Sequence, residues 1–314
     1  MPLLSIVIPA YNEEDALEQV VPALREALKP REIEFEVIFI DDGSKDTTFE
    51  KIAEIAATDK RVRGYRFSRN FGKEAAIWAG LENASGDAVV VMDADLQHPP
   101  ETLPLMWDLW QEGYEVVEGV KVKRAKEFFL RRFFAWMFYG IISSLSGFNM
   151  RTASDFKLLD RRVVDELLQF KERNAFFRGL SFWVGFRATR VEYITAPRKQ
   201  GKTKWSFGQL TKYAFNNILG FSTAPMQLVS LIGALLLVSS LALGIQTLVR
   251  FFQGNAVEGF TTVILLLLLI GGALMVSLGV IGLYIAKIYE EVKGRPRYII
   301  SEATERGEAM GTRL

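Results

Sequence analysis

Ala88-Val89-Val90-Val91-Met92-Asp93-Ala94-Asp95-Leu96-Gln97 joins a short apolar run to two aspartates spaced two apart. The run reads as a strand, and the polar residues behind it as the loop at its carboxyl end. Residues 4–8, 35–40, 62–67 and 115–120 repeat the pattern, most of them rich in Val, Ile and Phe. Between these runs apolar residues recur at three- and four-residue steps: Leu17, Val20, Val21, Leu24 and Leu28, then Ile52, Ile55 and Ala56, then Leu103, Met106, Leu109 and Trp110. Such steps line one face of a helix. Pro22 falls inside the first helical stretch, so a kink or a late helix start is expected there. Alternating strands and helices form βαβ units, hence an α/β fold with a mostly parallel sheet and helices on both faces.

Ligands of such sheets gather outside the carboxyl ends of the strands. Three polar clusters fall there: Pro9-Ala10-Tyr11-Asn12-Glu13-Glu14, Asp41-Asp42-Gly43-Ser44-Lys45-Asp46 and Asp93-Ala94-Asp95. A G-x-G-x-x-G fingerprint is missing, and Gly72-Lys73 is followed by Glu74 and lacks the upstream glycine of a P-loop. Carboxylates here would repel a diphosphate unless a metal bridged the two. In a strand-like conformation Asp93 and Asp95 point to the same side. Hard oxygen ligands suit Mg²⁺ or Mn²⁺, with substrate phosphates and water completing the shell. Aspartates also end strands simply as turn formers; Asp41 and Asp42 on a neighbouring strand end favour the metal.

Composition narrows the chemistry. The 314 residues include no cysteine and one histidine, which excludes disulfides, zinc knuckles, iron–sulfur clusters, thiol nucleophiles and His-rich metal sites. The net charge of +1 conceals a division: residues 1–120 hold 11 Lys/Arg against 24 Asp/Glu, and residues 121–222 hold 20 against 7. An acidic part followed by a basic part points to a membrane surface or a small polyanion as partner; no nucleic-acid partner is expected.

Residues 213–249 and 259–286 carry no charge. About 20 apolar residues cross a bilayer core roughly 30 Å thick, so both runs can span. Lys287, Lys293, Arg295 and Arg297 follow the second span, which favours both flanks on the cytoplasmic side and the link at 250–258 outside. Residues 3–8 are too short for the apolar core of a cleavable signal. The expected organisation is a cytoplasmic catalytic domain over residues 1–222, a transmembrane hairpin over 223–288 and a cytoplasmic tail over 289–314, in a multi-pass protein of the inner (plasma) membrane. Residues 126–148 and 205–221 mix aromatic and basic side chains, a composition suited to helices lying in the bilayer interface. Gly271, Gly272 and Gly279 would let hairpins pack together, so a homo-oligomer is among the expectations.

Taken in order, residues 7–14 and 41–46, Arg69-Asn70-Phe71-Gly72-Lys73-Glu74, Asp93-Ala94-Asp95-Leu96-Gln97, Ser154-Asp155-Phe156-Lys157-Leu158, Glu172-Arg173-Asn174, Gly201-Lys202-Thr203-Lys204-Trp205 and Arg295-Pro296-Arg297-Tyr298 resemble the motifs of GT-A family 2 glycosyltransferases acting on polyprenyl phosphates. This group includes dolichol-phosphate mannose synthase and the bactoprenol glucosyltransferases, and the second branch is the nearer. The resemblance implies a GT-A, Rossmann-like catalytic domain that transfers glucose from UDP-glucose to undecaprenyl phosphate with inversion. It implies that Pro9, Tyr11, Glu13, Asp41, Asp42, Lys73, Asp93 and Gln97 hold the nucleotide sugar, and that Asp95 with Asp93 binds Mg²⁺ or Mn²⁺. Asp155 would sit beside the reacting groups, and Arg131, Arg198 and Lys204 would grip the lipid phosphate or the leaving diphosphate.

The acceptor phosphate is largely dianionic near pH 7 and needs no strong base. The burden falls on bringing two polyanions together and stabilising the leaving group. Other readings are transfer of mannose from GDP-mannose, a processive synthase, which would carry a Q-x-x-R-W motif absent here, and a non-catalytic sugar-nucleotide-binding scaffold. His98 reads as a loop residue at the cap of the helix opened by Pro99 and Pro100 rather than as a catalytic group.

Overall fold

The computed structural model describes residues 1–121, 154–172, 175–194, 224–253 and 259–304. The interfacial segments expected at 126–148 and 205–221, and with them Arg131, Arg198 and Lys204, lie outside the described residues.

Among the described residues the first unit is built on an eight-stranded sheet in the order β7-β5-β6-β4-β1-β2-β3-β8. Its strands are β1 (Leu3–Ala10), β2 (Glu34–Asp41), β3 (Val62–Phe67), β4 (Ala88–Val91), β5 (Val116–Lys121), β6 (Lys157–Asp160), β7 (Ala188–Tyr193) and β8 (Ile300–Ala303). β3, β2, β1 and β4 are parallel neighbours, and β7 is parallel to β5. β6 runs antiparallel between β4 and β5, and β8 lies antiparallel on β3. The α-helices of this unit are α1 (Leu17–Leu28), α2 (Thr48–Thr58), α3 (Lys73–Asn83), α4 (Leu103–Gln111), α5 (Arg161–Gln169) and α6 (Phe177–Trp183).

The apolar steps read from the sequence mark the inward faces, fully buried along α1 and at Ile52, Leu103 and Met106, and only partly buried at Ile55, Ala56, Leu109 and Trp110. Leu17, Val20, Val21, Leu24 and Leu28 of α1 are buried, and with Leu103 and Met106 of α4 they join Leu4, Ile6, Ile8, Val37 and Val90 in one core. On the other sheet face α3 buries Ala76, Ile77, Trp78, Ala79 and Leu81, and Gly80 lets it lie against Val7, since a Cβ there would meet the Val7 side chain at 2.0 Å. Burial of each such Leu, Ile or Val contributes about 1.5–3 kcal/mol. α1 begins at Leu17 and passes through Pro22, so the late start expected from that proline does not occur.

β1 separates β2 and β4 and all three run the same way, so their carboxyl ends open side by side. That is the crevice where parallel sheets take ligands.

The second unit spans Trp205–Arg295 and contains α7 (Ala224–Phe252) and α8 (Phe260–Val292). At 1.5 Å per residue these exceed the roughly 30 Å of a bilayer core. Val229–Thr247 and Leu269–Val292 are long and apolar enough to cross a membrane, and neither is buried within the protein. α8 continues past Lys287 to Val292, and the chain then returns to the first unit as β8, where a separate tail over 289–314 was expected.

Candidate active site

The loops after β1 and β2 are laced together. Asn12 N–H donates to Ser44 Oγ at 2.9 Å, Lys45 N–H returns to Asn12 Oδ1 at 2.9 Å, and Glu13 N–H donates to Thr48 Oγ1 at 3.0 Å. The turn after β2 works only with glycine at Gly43: its φ is +67°, and a Cβ would come within 2.5 Å of the Arg69 backbone. Asp42 faces inward at this point, accepting the Phe71 N–H at 2.7 Å and the Gly72 N–H at 3.0 Å. It thereby holds the Arg69–Gly72 loop, and burial pushes its carboxyl up to about 6.

Asp41 closes β2 with no exposed surface. Oδ1 accepts the Ser44 N–H at 2.9 Å, while Oδ2 has no hydrogen-bond partner, the nearest cation being Arg66 Nε at 3.4 Å. Burial raises this carboxyl too. A buried acceptor left without a hydrogen-bond donor costs about 1–3 kcal/mol, which the Arg66 charge partly offsets. Pro9 and Glu13 are half-buried and Tyr11 is exposed around the same strand ends.

β4 stops at Val91, so Asp93 and Asp95 stand in a turn, and the strand alternation expected to align them does not apply. The turn has its own supports. Asp95 Oδ1 accepts the Gln97 N–H at 3.1 Å, Leu96 takes a positive φ of 55°, and the Asp93 N–H donates to His98 Nδ1 at 3.0 Å. His98 is therefore not just a loop cap. It is 9% exposed, stacks on Phe156 at 4.8 Å and packs edge-on to Tyr193. Burial lowers its pKa, and a neutral ring with the proton on Nε2 is what accepting through Nδ1 requires. The sequence carried no sign of this contact except that histidine follows Leu96-Gln97.

Asp93, Asp95 and Gln97 are half-buried and reachable from solvent. No group of three or more His, Asp or Glu residues arranged for a metal occurs among the described residues. The donor set is two aspartates, which fits an ion that takes one or two protein carboxylates and fills its shell with substrate oxygens and water, as Mg²⁺ does.

Asp155 comes to the same place from the turn before β6. Lys73 Nζ joins it to the aspartate pair, 2.6 Å from Asp93 Oδ1 and 2.9 Å from Asp155 Oδ2. Arg178 on α6 grips Asp155 with two bonds, Nε to Oδ1 at 2.6 Å and Nη2 to Oδ2 at 2.7 Å. Burial alone would raise the Asp155 carboxyl, but Arg178 and Lys73 outweigh it and hold it well below the usual carboxylate range. Beside them Glu74 accepts the Phe177 N–H at 2.9 Å, and burial together with the Asp155 charge pushes its carboxyl up to about 7.

Beneath this lies a second buried network. Lys157 donates to Ser181 Oγ at 2.8 Å and pairs with Glu118 at 3.3 Å, and Glu118 accepts the Ser154 N–H at 3.1 Å. Glu74 and Lys157 were quoted from the sequence only as motif residues without a site role, and Arg178 and Glu118 were not singled out at all. Arg178 is 105 positions from Lys73, and charge patterning along the chain does not register pairs so far apart.

Comparison with known proteins gives this geometry a family. The glycosyl transferase family 2 profile matches residues 5–168. The SfII prophage-derived bactoprenol glucosyl transferase of Shigella flexneri is 38% identical over 305 residues, covering 96% of this chain and 98% of its own. The putative glycosyltransferase CsbB of Bacillus subtilis is 41% identical over 303 residues, covering 96% and 92%. An uncharacterised glycosyltransferase of Synechocystis is 40% identical over 301 residues, covering 95% of each. A solved glucosyl-3-phosphoglycerate synthase of Mycobacterium tuberculosis is more distant, with 20% identity, 70% and 80% coverage and a TM-score of 0.46, too slight a likeness to bear on function. The mostly parallel sheet, the polar loops at its carboxyl edge and the near end-to-end match to these glycosyltransferases place the chain in glycosyl transferase family 2, as a GT-A glycosyltransferase of the bactoprenol glucosyl transferase group.

Proposed function

We propose that the protein transfers a sugar, glucose in the first instance, from a nucleotide-sugar donor to the phosphate of a polyprenyl lipid such as undecaprenyl phosphate, with inversion at the anomeric carbon. The observation that carries this reading is the meeting of the Asp93-x-Asp95 turn, Lys73 and Asp155 at the carboxyl edge of β1, β2 and β4. Glucose as the transferred sugar and bactoprenol as the lipid rest on the names of the bactoprenol glucosyl transferases matched over nearly the whole chain, and UDP as the carrier is part of the proposal.

Pro9, Tyr11, Glu13 and Asp41 would line the nucleotide, Asp41 from behind as a buried group paired with Arg66. Asp95 and Asp93 would hold Mg²⁺ or Mn²⁺. When bound, that ion supplies charge neutralisation at the donor diphosphate. Gln97 supports the turn through its backbone. The acceptor phosphate arrives already nucleophilic, so the protein's task is to orient it in line with the anomeric carbon and to exclude water. Arg131, Arg198 and Lys204 are proposed for the lipid phosphate and the leaving group.

The reading also needs the reaction to occur at a membrane. If α7 and α8 each cross once, as proposed, the two crossings would keep both flanks of this segment on one face of the bilayer. The basic residues following α8 favour the cytoplasmic face.

Membranes carrying the full chain, incubated with Mg²⁺, labelled UDP-glucose and undecaprenyl phosphate, are expected to form a lipid-linked sugar. Failure with every nucleotide donor in a panel would overturn the reading. Asp95→Ala is expected to lower turnover by at least about 10²-fold, the usual cost of removing charge stabilisation at a developing anion.

A further inference from the structure

The exposures within the Lys73, Arg178 and Asp155 cluster are layered. The Asp155 side chain is 6% exposed, while Lys73 and Arg178 keep 42% and 35% of theirs. The carboxylate therefore lies behind two cations that face the solvent side, and anything entering the crevice meets the cations first. Both carboxylate oxygens are already engaged, Oδ1 by Arg178 and Oδ2 by Arg178 and Lys73. A carboxylate so held is a poor proton acceptor near neutrality, in keeping with the downward shift of its pKa.

The arrangement is built rather than incidental. Glu74, next to Lys73 at the start of α3, accepts the Phe177 N–H at the start of α6 and sets the two helix ends together. Lys157, on the strand that follows Asp155, donates to Ser181 of α6 and fixes the helix from beneath. Arg178 is thus held between three anchors: Asp155, Glu74 by way of Phe177, and Lys157 by way of Ser181.

We infer that Lys73 and Arg178 form an anion-receiving pair for a substrate phosphate, with Asp155 as their counterion and not a base. This rests on the glycosyl-transfer reading for the identity of the phosphate, which is either the acceptor's monoester or the donor's diphosphate. The two cations offset the charges of Asp155 and Asp93, and when a phosphate enters they share their N–H donors between its oxygens and the Asp155 carboxylate, which stays ion-paired. Charge-assisted bonds of this kind are the strong ones, and arginine's planar fork suits two phosphate oxygens as well as it suits a carboxylate.

The test uses the full-length chain in detergent with Mg²⁺. Calorimetric titration with UDP and with inorganic pyrophosphate reads the diphosphate arm, and the KM for a short-chain polyprenyl phosphate reads the monoester arm. Arg178→Gln is expected to weaken one arm at least 10-fold and Arg178→Lys to restore most of the loss. Asp155→Asn is expected to tighten the same arm several-fold while lowering turnover, because it removes the competing carboxylate. A carboxylate that touched substrate, or merely propped the fold, would give the opposite sign. Values within 2-fold of wild type for both Arg178→Gln and Asp155→Asn, or weakening by Asp155→Asn, would overturn the inference. Melting temperatures check folding, and Arg178→Lys with Asp155→Asn decides if Arg178→Gln does not fold. If the wild type transfers no sugar, the glycosyl-transfer reading fails, while the pyrophosphate titrations still test the pair.

Discussion

Asp155, Glu74 and Asp42 are chemically similar side chains put to different uses by their neighbours. Two cations keep Asp155 ionised, burial pushes Glu74 up to about 7, and Asp42 is spent on two backbone N–H groups. Glu74 makes stability depend on pH. Its folded pKa lies above the ordinary 4.5, so its contribution is fully present below that value and is lost as pH rises through about 7. The loss amounts to about 3 kcal/mol at most. Glu74→Gln is therefore expected to flatten the fall in melting temperature between about pH 5 and 8; an unchanged slope would remove Glu74 as its source.

The elements owe their placement to contacts of unequal visibility. α1 follows from its helical periodicity and β2 from its continuous apolar run, since the one buries a single face and the other is buried on both faces of the sheet. β8 does not. Ile300–Ala303 is four residues long and exposed throughout, and it is a strand because β3 offers an edge to pair with. Its approach is secured by Tyr298, stacked on Phe67 at 4.9 Å and hydrogen-bonded to Glu82, and by Arg297, which covers Trp78 at 4.5 Å and donates to the Phe170 and Glu172 carbonyls. Replacing Arg297 and Tyr298 together by Ala is expected to cost roughly 2–4 kcal/mol, summing lost charged and aromatic contacts. The check is a lower melting temperature of the full chain and faster proteolysis near residue 300; an unchanged melting temperature would mean that β8 is held by its ladder alone.

For the molecule as a whole, the charge division has a structural counterpart. The acidic first 120 residues supply β1 to β5 and with them the crevice; the basic residues that follow include Arg178, which turns back into it. The proposed two-crossing hairpin is testable from the segments on either side of α8. The chain has no native cysteine, so single cysteines are clean reporters. A cysteine at position 256 is expected to react with an impermeant maleimide in intact cells, and one at position 307 only after lysis. Equal labelling of both would refute the two-crossing arrangement.

The order of strands and helices, the buried faces of α1 and α4, the two membrane-length helices and the Asp93-x-Asp95 element were legible from the chain alone, because each depends on residues close in sequence. Local periodicity and turn chemistry act over a few positions, and one strand of text displays them. The antiparallel β6 and β8, the His98 bond to Asp93 and the Arg178 clamp on Asp155 were not legible. Each joins segments brought together only when the sheet closes, or depends on burial that a residue's own identity does not encode. Sequence determined which carboxylates and cations this protein carries at the carboxyl edge of its sheet. Tertiary structure decided which of them stay exposed, as Lys73 does, and which are buried and ion-paired, as Asp155 is, since a side chain's pKa and reach are set by what packs around it.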